Sequence, residues 1–349
     1  MLMKKRLTQL DGIRALLCLS VVFSHFMGSR LGWVNYNFVN AYISVDGFFI
    51  LSGFVLSYIY SERINNGQIG VLQFSLHRVA RLYPLHIFTL LLTFLIYKFL
   101  YKNFPFENPL QTAIQHIFML QGLGLSQSWS WNDPSWSISV ELFAAILLFK
   151  WIIPSKNNEF LLIFSIIIYT LVLNKHGSLM AEKDLNFYIF SSGLLKCIAG
   201  MTFGVFIKNL VLLPKDISVF FVKNIYIKLL AILFVSVFIF RKEQSNGIDL
   251  SIIILMGYII AASISVKDYV FDFFSSKILA YIGKISFSIY MIHTPLLLIM
   301  DYYRLFDRIN IVAGLLFFCA VLFVLSILTY NFIEENSYKR LKKSIDSFF

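Results

Sequence analysis

The sequence predicts an all-α, polytopic bundle of about ten membrane-spanning helices. Three observations predict it. Of the 349 residues, 58% are hydrophobic and only 14% are charged, where a soluble domain carries about a quarter charged residues. Mean hydropathy is +0.74, and the apolar residues fall into runs near the ~20 residues that cross a bilayer as helix. The basic residues are also spread unevenly over alternate connections, as they are when Lys and Arg hold loops in the cytoplasm.

The first run, 12–28, follows Lys4, Lys5 and Arg6 and so begins like a secretory signal. A signal peptide has an uninterrupted apolar centre and a small-residue cleavage site. This run instead carries Arg14 and His25, and further apolar runs follow it near 41–60, 82–101, 135–153, 160–174, 187–207, 226–240, 248–265, 281–300 and 311–332. The stretch 110–121 is too short to span and too polar at Gln111, Gln115 and His116, so it reads as interfacial or re-entrant. There is no low-complexity tract, soluble domain, linker or internal repeat. Residues 1–349 are expected to form one membrane domain, with 10–333 the bundle and 334–349 a basic cytoplasmic tail. With the N-terminus inside, most of the 30 Lys and Arg residues lie on the cytoplasmic side, Arg63, Arg78, Arg81, Lys150 and Lys339 among them. Both termini are then cytoplasmic. The net charge of +11 follows from these anchoring residues, and no nucleic-acid partner is expected. Cys18, Cys197 and Cys319 sit in apolar runs without metal or redox spacing and read as packing residues.

Ionisable groups inside apolar runs are costly and so point to function. Arg14 and His25 stand 11 residues apart, within ~20° of three full turns, and share one helix face about 16 Å apart along the axis. Asp46 in "VDGFFILSG", Glu141 in "NDPSWSISVE" and His293 in "ISFSIYMIHTP" are expected at a depth similar to His25. Pro134 suits a first helical turn and sets the start of the helix that carries Glu141. Two histidines and two carboxylates from four helices predict a shared polar cavity, in which Asp46 or Glu141 orients a histidine that acts as general base. The same residue types ligate zinc, but no H-x3-H or HExxH spacing occurs and no metal is expected. On the cytoplasmic side "FSLHRVARLYP" supplies His77, Arg78 and Arg81 beside Arg14. These are either topology anchors, which need no ligand, or a mouth suited to bidentate phosphate contacts. Lys196, in "LLKCIAGMTFG", must pair with a carboxylate or meet an anionic ligand.

On these residues alone two functions stand: an enzyme that works in the cavity, or a transporter or flippase that moves a glycan or small anion through it. Transporters often carry broken helices and inverted repeats, and neither is visible. A purely structural scaffold gives Arg14 and Lys196 no reason to be in the membrane.

"LDGIRALLCLSVVFSH" resembles the first helix of the membrane acyltransferase-3 family of bacterial O-acyltransferases. "VDGFFILSGFVLS", "FSLHRVARLYP", "WSISVE" and "IGKISFSIYMIH" resemble that family's later signatures in the same order. The resemblance runs from residue 10 to about 295. It implies transfer of an acyl group, usually acetyl from cytoplasmic acetyl-CoA, to a hydroxyl of an envelope glycan such as O-antigen, capsule or exopolysaccharide. The acceptor would be lipid-linked and the enzyme would sit in the bacterial cytoplasmic membrane. By the resemblance His25 matches the family's essential histidine and Arg14 its paired arginine. Arg78 and Arg81 match the basic motif, and Glu141 the acidic end of the tryptophan–serine motif. Lys196 stands where relatives often have arginine. Arg14, Arg78, Arg81 and Lys196 would hold the donor's phosphates. Trp136, Ser137, Ser139, Tyr290 and His293 would meet the acceptor. His25 would act as base or as acyl acceptor, with Asp46 or Glu141 beside it. Some relatives carry a fused extracytoplasmic esterase-like domain; here the chain is expected to act through the membrane domain or with a separate partner.

Overall fold

The computed structural model describes residues 7–32, 39–125, 130–180, 185–187, 190–212, 224–241, 247–265, 269–305 and 309–349. Of the cations in the charge balance, Lys4, Lys5, Arg6, Lys183, Lys215, Lys223, Lys242, Lys267 and Arg308 lie outside the described residues.

Helix dominates, as composition requires in hydrocarbon, where every backbone N–H and C=O must be satisfied within its own segment. α1 spans Thr8–Leu31, and a 3-10 turn leads into α2 at Ile43–Asn65. α3 covers Val71–Leu95 and runs on through a π turn to Tyr101. The short α4 (Pro109–Ile117) occupies the stretch read as non-spanning. α5 (Trp136–Leu148), α6 (Asn158–His176) and α7 (Ser192–Val211) follow. Leu185–Phe187 and Phe190–Ser191 form a two-stranded antiparallel ribbon before α7. α8 (Ile225–Ile239) and α9 (Asp249–Ser265) precede the short α10 (Tyr269–Phe274) and α11 (Lys277–Lys284). α12 (Ser286–Tyr302) and α13 (Ile311–Thr329) complete the bundle. A π turn at Tyr330–Glu335 joins α13 to α14 (Asn336–Phe348).

Each of the ten apolar runs expected to span folds as helix, and the helices differ in length. Among the described residues six helices are long and apolar enough to cross a membrane, or seven when α11 and α12 count as one span bent by 65°. α8 and α9 are apolar but shorter. The run 135–153 yields a helix of only 13 residues, about 20 Å long. Its neighbours are turns on one side and the 3-10 turn Asp133–Ser135 on the other.

Two glycine contacts explain the arrangement of the centre. A Cβ at Gly53 would lie 2.0 Å from the Met201 carbonyl oxygen, and one at Gly204 would lie 2.1 Å from that of Ile50. α2 and α7 therefore touch backbone to backbone, which small residues permit and which dispersion then stabilises. Likewise a Cβ at Gly283 would lie 1.8 Å from the Asp11 carbonyl oxygen. That contact seats α11 against the start of α1, and the bend into α12 follows immediately. Burial sorts the helices into hub and rim. In the most apolar stretches of α2 and α7, 67% of residues are buried, against 28% in α6 and 22% in the continuous α13–α14 rod. α2 and α7 are the hub; α6 and α13 form the rim, with most of their apolar surface exposed.

Candidate active site

Two cavities open between α1, α2, α5 and α12, and α1 contributes to both. The first, about 540 Å³, takes Arg14 from the early turns of α1, Arg78 and Arg81 from α3, Ser137 and Glu141 from α5, and Lys284. The second, about 640 Å³, takes His25 from the later turns of α1 together with Tyr42, Trp136, Thr294 and Asp301. Arg14 and His25 thus share a helix face, as their spacing predicts, and that face serves one cavity with each.

In the first cavity every arginine meets a carboxylate. Arg14 Nη1 lies 3.3 Å from Asp11 Oδ1, one helical turn back. Arg78 forms an ion pair with Glu141, whose Oε1 also accepts from Ser52 Oγ at 2.7 Å. Arg81 Nη1 lies 2.6 Å from Glu334 Oε1, and Ser288 Oγ donates to Glu334 Oε2 at 2.6 Å. Glu334 is 1% exposed; it sits just past the last apolar run, where the sequence predicts only a basic tail. α14 closes this side. Asp346 lies 2.8 Å from His77 Nε2, and the Arg81 guanidinium stands over the Tyr338 ring at 5.7 Å. A guanidinium has five donors, so one carboxylate contact leaves its fork able to meet an anion.

In the second cavity the neighbour of His25 is a second imidazole. His293 Nε2 lies 3.1 Å from His25 Nδ1, and His293 Nδ1 lies 2.6 Å from the Tyr290 carbonyl oxygen. A carbonyl only accepts, so His293 Nδ1 carries the proton there. With both rings neutral, His293 Nε2 is an acceptor and His25 Nδ1 is the donor. The basic lone pair of His25 is then on Nε2, which suits proton abstraction in the cavity.

The carboxylates expected beside His25 are placed elsewhere. Asp46 pairs with Lys196 at 3.3 Å, and both are fully buried. Lys196 also donates to the Leu179 carbonyl and stands 5.9 Å over the Trp136 ring. A buried ammonium needs a carboxylate partner, and this pairing takes both residues away from the cavities: neither Asp46 nor Lys196 lines one. Glu141 faces the arginine cavity instead. Ser139 lines neither cavity; it donates to the Met119 carbonyl and accepts from Gly122 N. Ser137 and Trp136 do line cavities, one each, and Tyr290 lines both. His293 is fully buried behind His25. Among the described residues no group of three or more His, Cys, Asp or Glu is close enough to hold a metal ion.

Sequence reasoning missed Asp11, Ser52, Glu334 and the Tyr42–Asp249 pair, whose Tyr42 hydroxyl donates to the Asp249 carboxylate at 3.0 Å. Asp11 was discoverable, since three residues before an arginine is a helical pairing distance.

Comparison with known proteins agrees with the motif reading. A family model described as an acyltransferase domain matches residues 7–331. The O-acetyltransferase OatA of Staphylococcus aureus is 25% identical over 366 aligned positions, covering 96% of this chain and 56% of that protein. The peptidoglycan O-acetyltransferase OatA of Listeria monocytogenes is 25% identical, with 95% and 56% covered. Protein 2 in picA locus of Rhizobium radiobacter is 38% identical over 91 residues, a quarter of this chain. The chain thus spans about half the length of the O-acetyltransferases it matches. No solved structure matches it significantly. The chain belongs to the acyltransferase-3 family of membrane acyltransferases.

Proposed function

We propose that this acyltransferase moves an acetyl group from cytoplasmic acetyl-CoA to a hydroxyl of a cell-envelope glycan, with the N-terminus in the cytoplasm. The donor's phosphates meet Arg14, Arg78 and Arg81 in the first cavity, and the acceptor enters the second beside His25. The observation that carries the reading is the adjacency of an arginine-lined cavity and a histidine-bearing cavity along one face of α1. CoA is polyanionic at one end and bears its thioester at the other, which matches such a division.

His25 Nε2 takes the proton of the acceptor hydroxyl as the oxygen attacks the thioester carbonyl carbon. The new C–O bond forms and the C–S bond breaks. The imidazolium then gives its proton to the departing thiolate, so the base is regenerated. His293, held by the Tyr290 carbonyl, keeps His25 in the tautomer this needs. The relatives' names specify O-acetyl transfer, and one of them peptidoglycan, which supports an envelope glycan as acceptor.

The test is acetyl-CoA turnover by purified protein in nanodiscs with an envelope-glycan extract, wild type against His25→Ala. A base of this kind contributes about 10²–10⁴-fold. CoA release and a 42-dalton mass gain of the glycan (~42, the mass of an added acetyl less one hydrogen), both lost in His25→Ala, are the expected result. Full activity of a folded His25→Ala protein overturns the role of the histidine.

A further inference from the structure

Among the described residues only two line both cavities: Val45, in the first turn of α2, and Tyr290, in the second turn of α12. They are 7% and 6% exposed. We infer that Val45 and Tyr290 form a fixed aperture between the arginine cavity and the His25 cavity, and that this aperture limits the length of the acyl chain the enzyme transfers. The inference rests on the reading that the donor occupies the first cavity.

Both sides of the aperture are stiff. Val45 is β-branched and on a helix, where one rotamer dominates. The Tyr290 and Ser137 hydroxyls lie 2.9 Å apart, and the Pro134 carbonyl oxygen lies 3.2 Å from Tyr290 and 2.9 Å from Ser137, so the two hydroxyl protons are shared among three contacts and both side chains are tied to this point. The Phe48 ring supports Tyr290 edge-on at 6.1 Å between centroids. The Tyr290 carbonyl holds His293, so the ring that borders the aperture is on the residue that orients the base. A wall fixed at this many points does not yield to a longer chain, whereas an acetyl group adds little beyond the thioester itself. Discrimination by one methylene in such a site is about 10–200-fold, enough to make the enzyme selective for the shortest acyl donors.

The test compares acetyl-CoA and butyryl-CoA in nanodiscs with the same glycan extract, and measures CoA binding in parallel. In Val45→Ala the ratio of kcat/KM for butyryl-CoA over acetyl-CoA rises at least about tenfold. Val45→Phe retains CoA binding and loses turnover of both donors. A second opening variant, Tyr290→Leu, shifts the ratio in the same direction as Val45→Ala. Wild-type turnover with an unchanged ratio in both opening variants, and normal acetyl turnover in Val45→Phe, overturns the aperture while the proposed function stands. Absence of CoA binding and turnover in folded wild-type protein overturns both.

Discussion

The two cavities differ in how their polar groups are balanced. Four cations, Arg14, Arg78, Arg81 and Lys284, line the first, together with the carboxylates of Asp11, Glu141 and Glu335. Among the described residues no lysine or arginine lines the second; its charged groups are Asp133 and Asp301, and Ser29 Oγ lies 2.8 Å from Asp301 Oδ2. One site is built from ion pairs and the other from a neutral imidazole couple. Among the lining groups the formal excess is one positive charge rather than four, and the Glu334 carboxylate paired with Arg81 behind them offsets that one as well. The arginines are therefore held in position before the ligand arrives, and binding redistributes contacts they already make. Among the described residues, the groups that line the histidine site include no cation to repel an imidazolium as it forms.

The buried pair outside both cavities sets the scale for the effects expected. Lys196→Met leaves Asp46 buried without its cation and is expected to cost about 3–5 kcal/mol, read as loss of folded protein on size exclusion. The double variant Lys196→Met/Asp46→Asn is expected to recover much of that loss. Recovery without activity would place the pair in the chemistry after all. In the imidazole couple, His293→Ala is expected to lower kcat about 10²-fold while the KM for acetyl-CoA stays near that of wild type. A KM effect without a kcat effect would move His293 to donor binding.

The arginine cavity should show the opposite split. Replacing Arg78 and Arg81 together by Gln is expected to raise the KM for acetyl-CoA by about tenfold or more, since charge-assisted contacts are worth roughly 1.5–3 kcal/mol each. An unchanged KM with normal insertion would leave both as topology anchors. The smallest effect is that of salt. Raising ionic strength from 0.05 to 0.5 M (roughly a threefold shorter screening length) should weaken acetyl-CoA binding a few-fold and leave the acceptor KM unchanged. Equal sensitivity of the two substrates would erase the contrast between the cavities.

Much of this organisation was legible in the sequence. Hydropathy located the apolar helices, and the helical repeat put Arg14 and His25 on one face. Depth along the chain, however, carries no information about direction around each helix axis. Asp46, Glu141, His25 and His293 were therefore grouped by depth, although Asp46 turns to α7 and Lys196 while Glu141 turns to α3 and Arg78. The bend after Lys284 was hidden because an apolar run looks the same straight or broken; the contact of Gly283 with the Asp11 backbone decides it. Glu334 was hidden for a related reason. At the end of a span an acidic residue normally reads as solvated, and only the packing of α14 against α3 buries it with Arg81.

The division of labour between the cavities is open to a direct measurement of sidedness. Proteoliposomes would carry an envelope-glycan extract inside and receive acetyl-labelled acetyl-CoA, which does not cross the bilayer, outside. The structure-based reading predicts labelled glycan in the lumen and free CoA outside, both abolished by His25→Ala. Label on the glycan only when donor and acceptor share one compartment would contradict it, and would mean that both substrates enter from the same face.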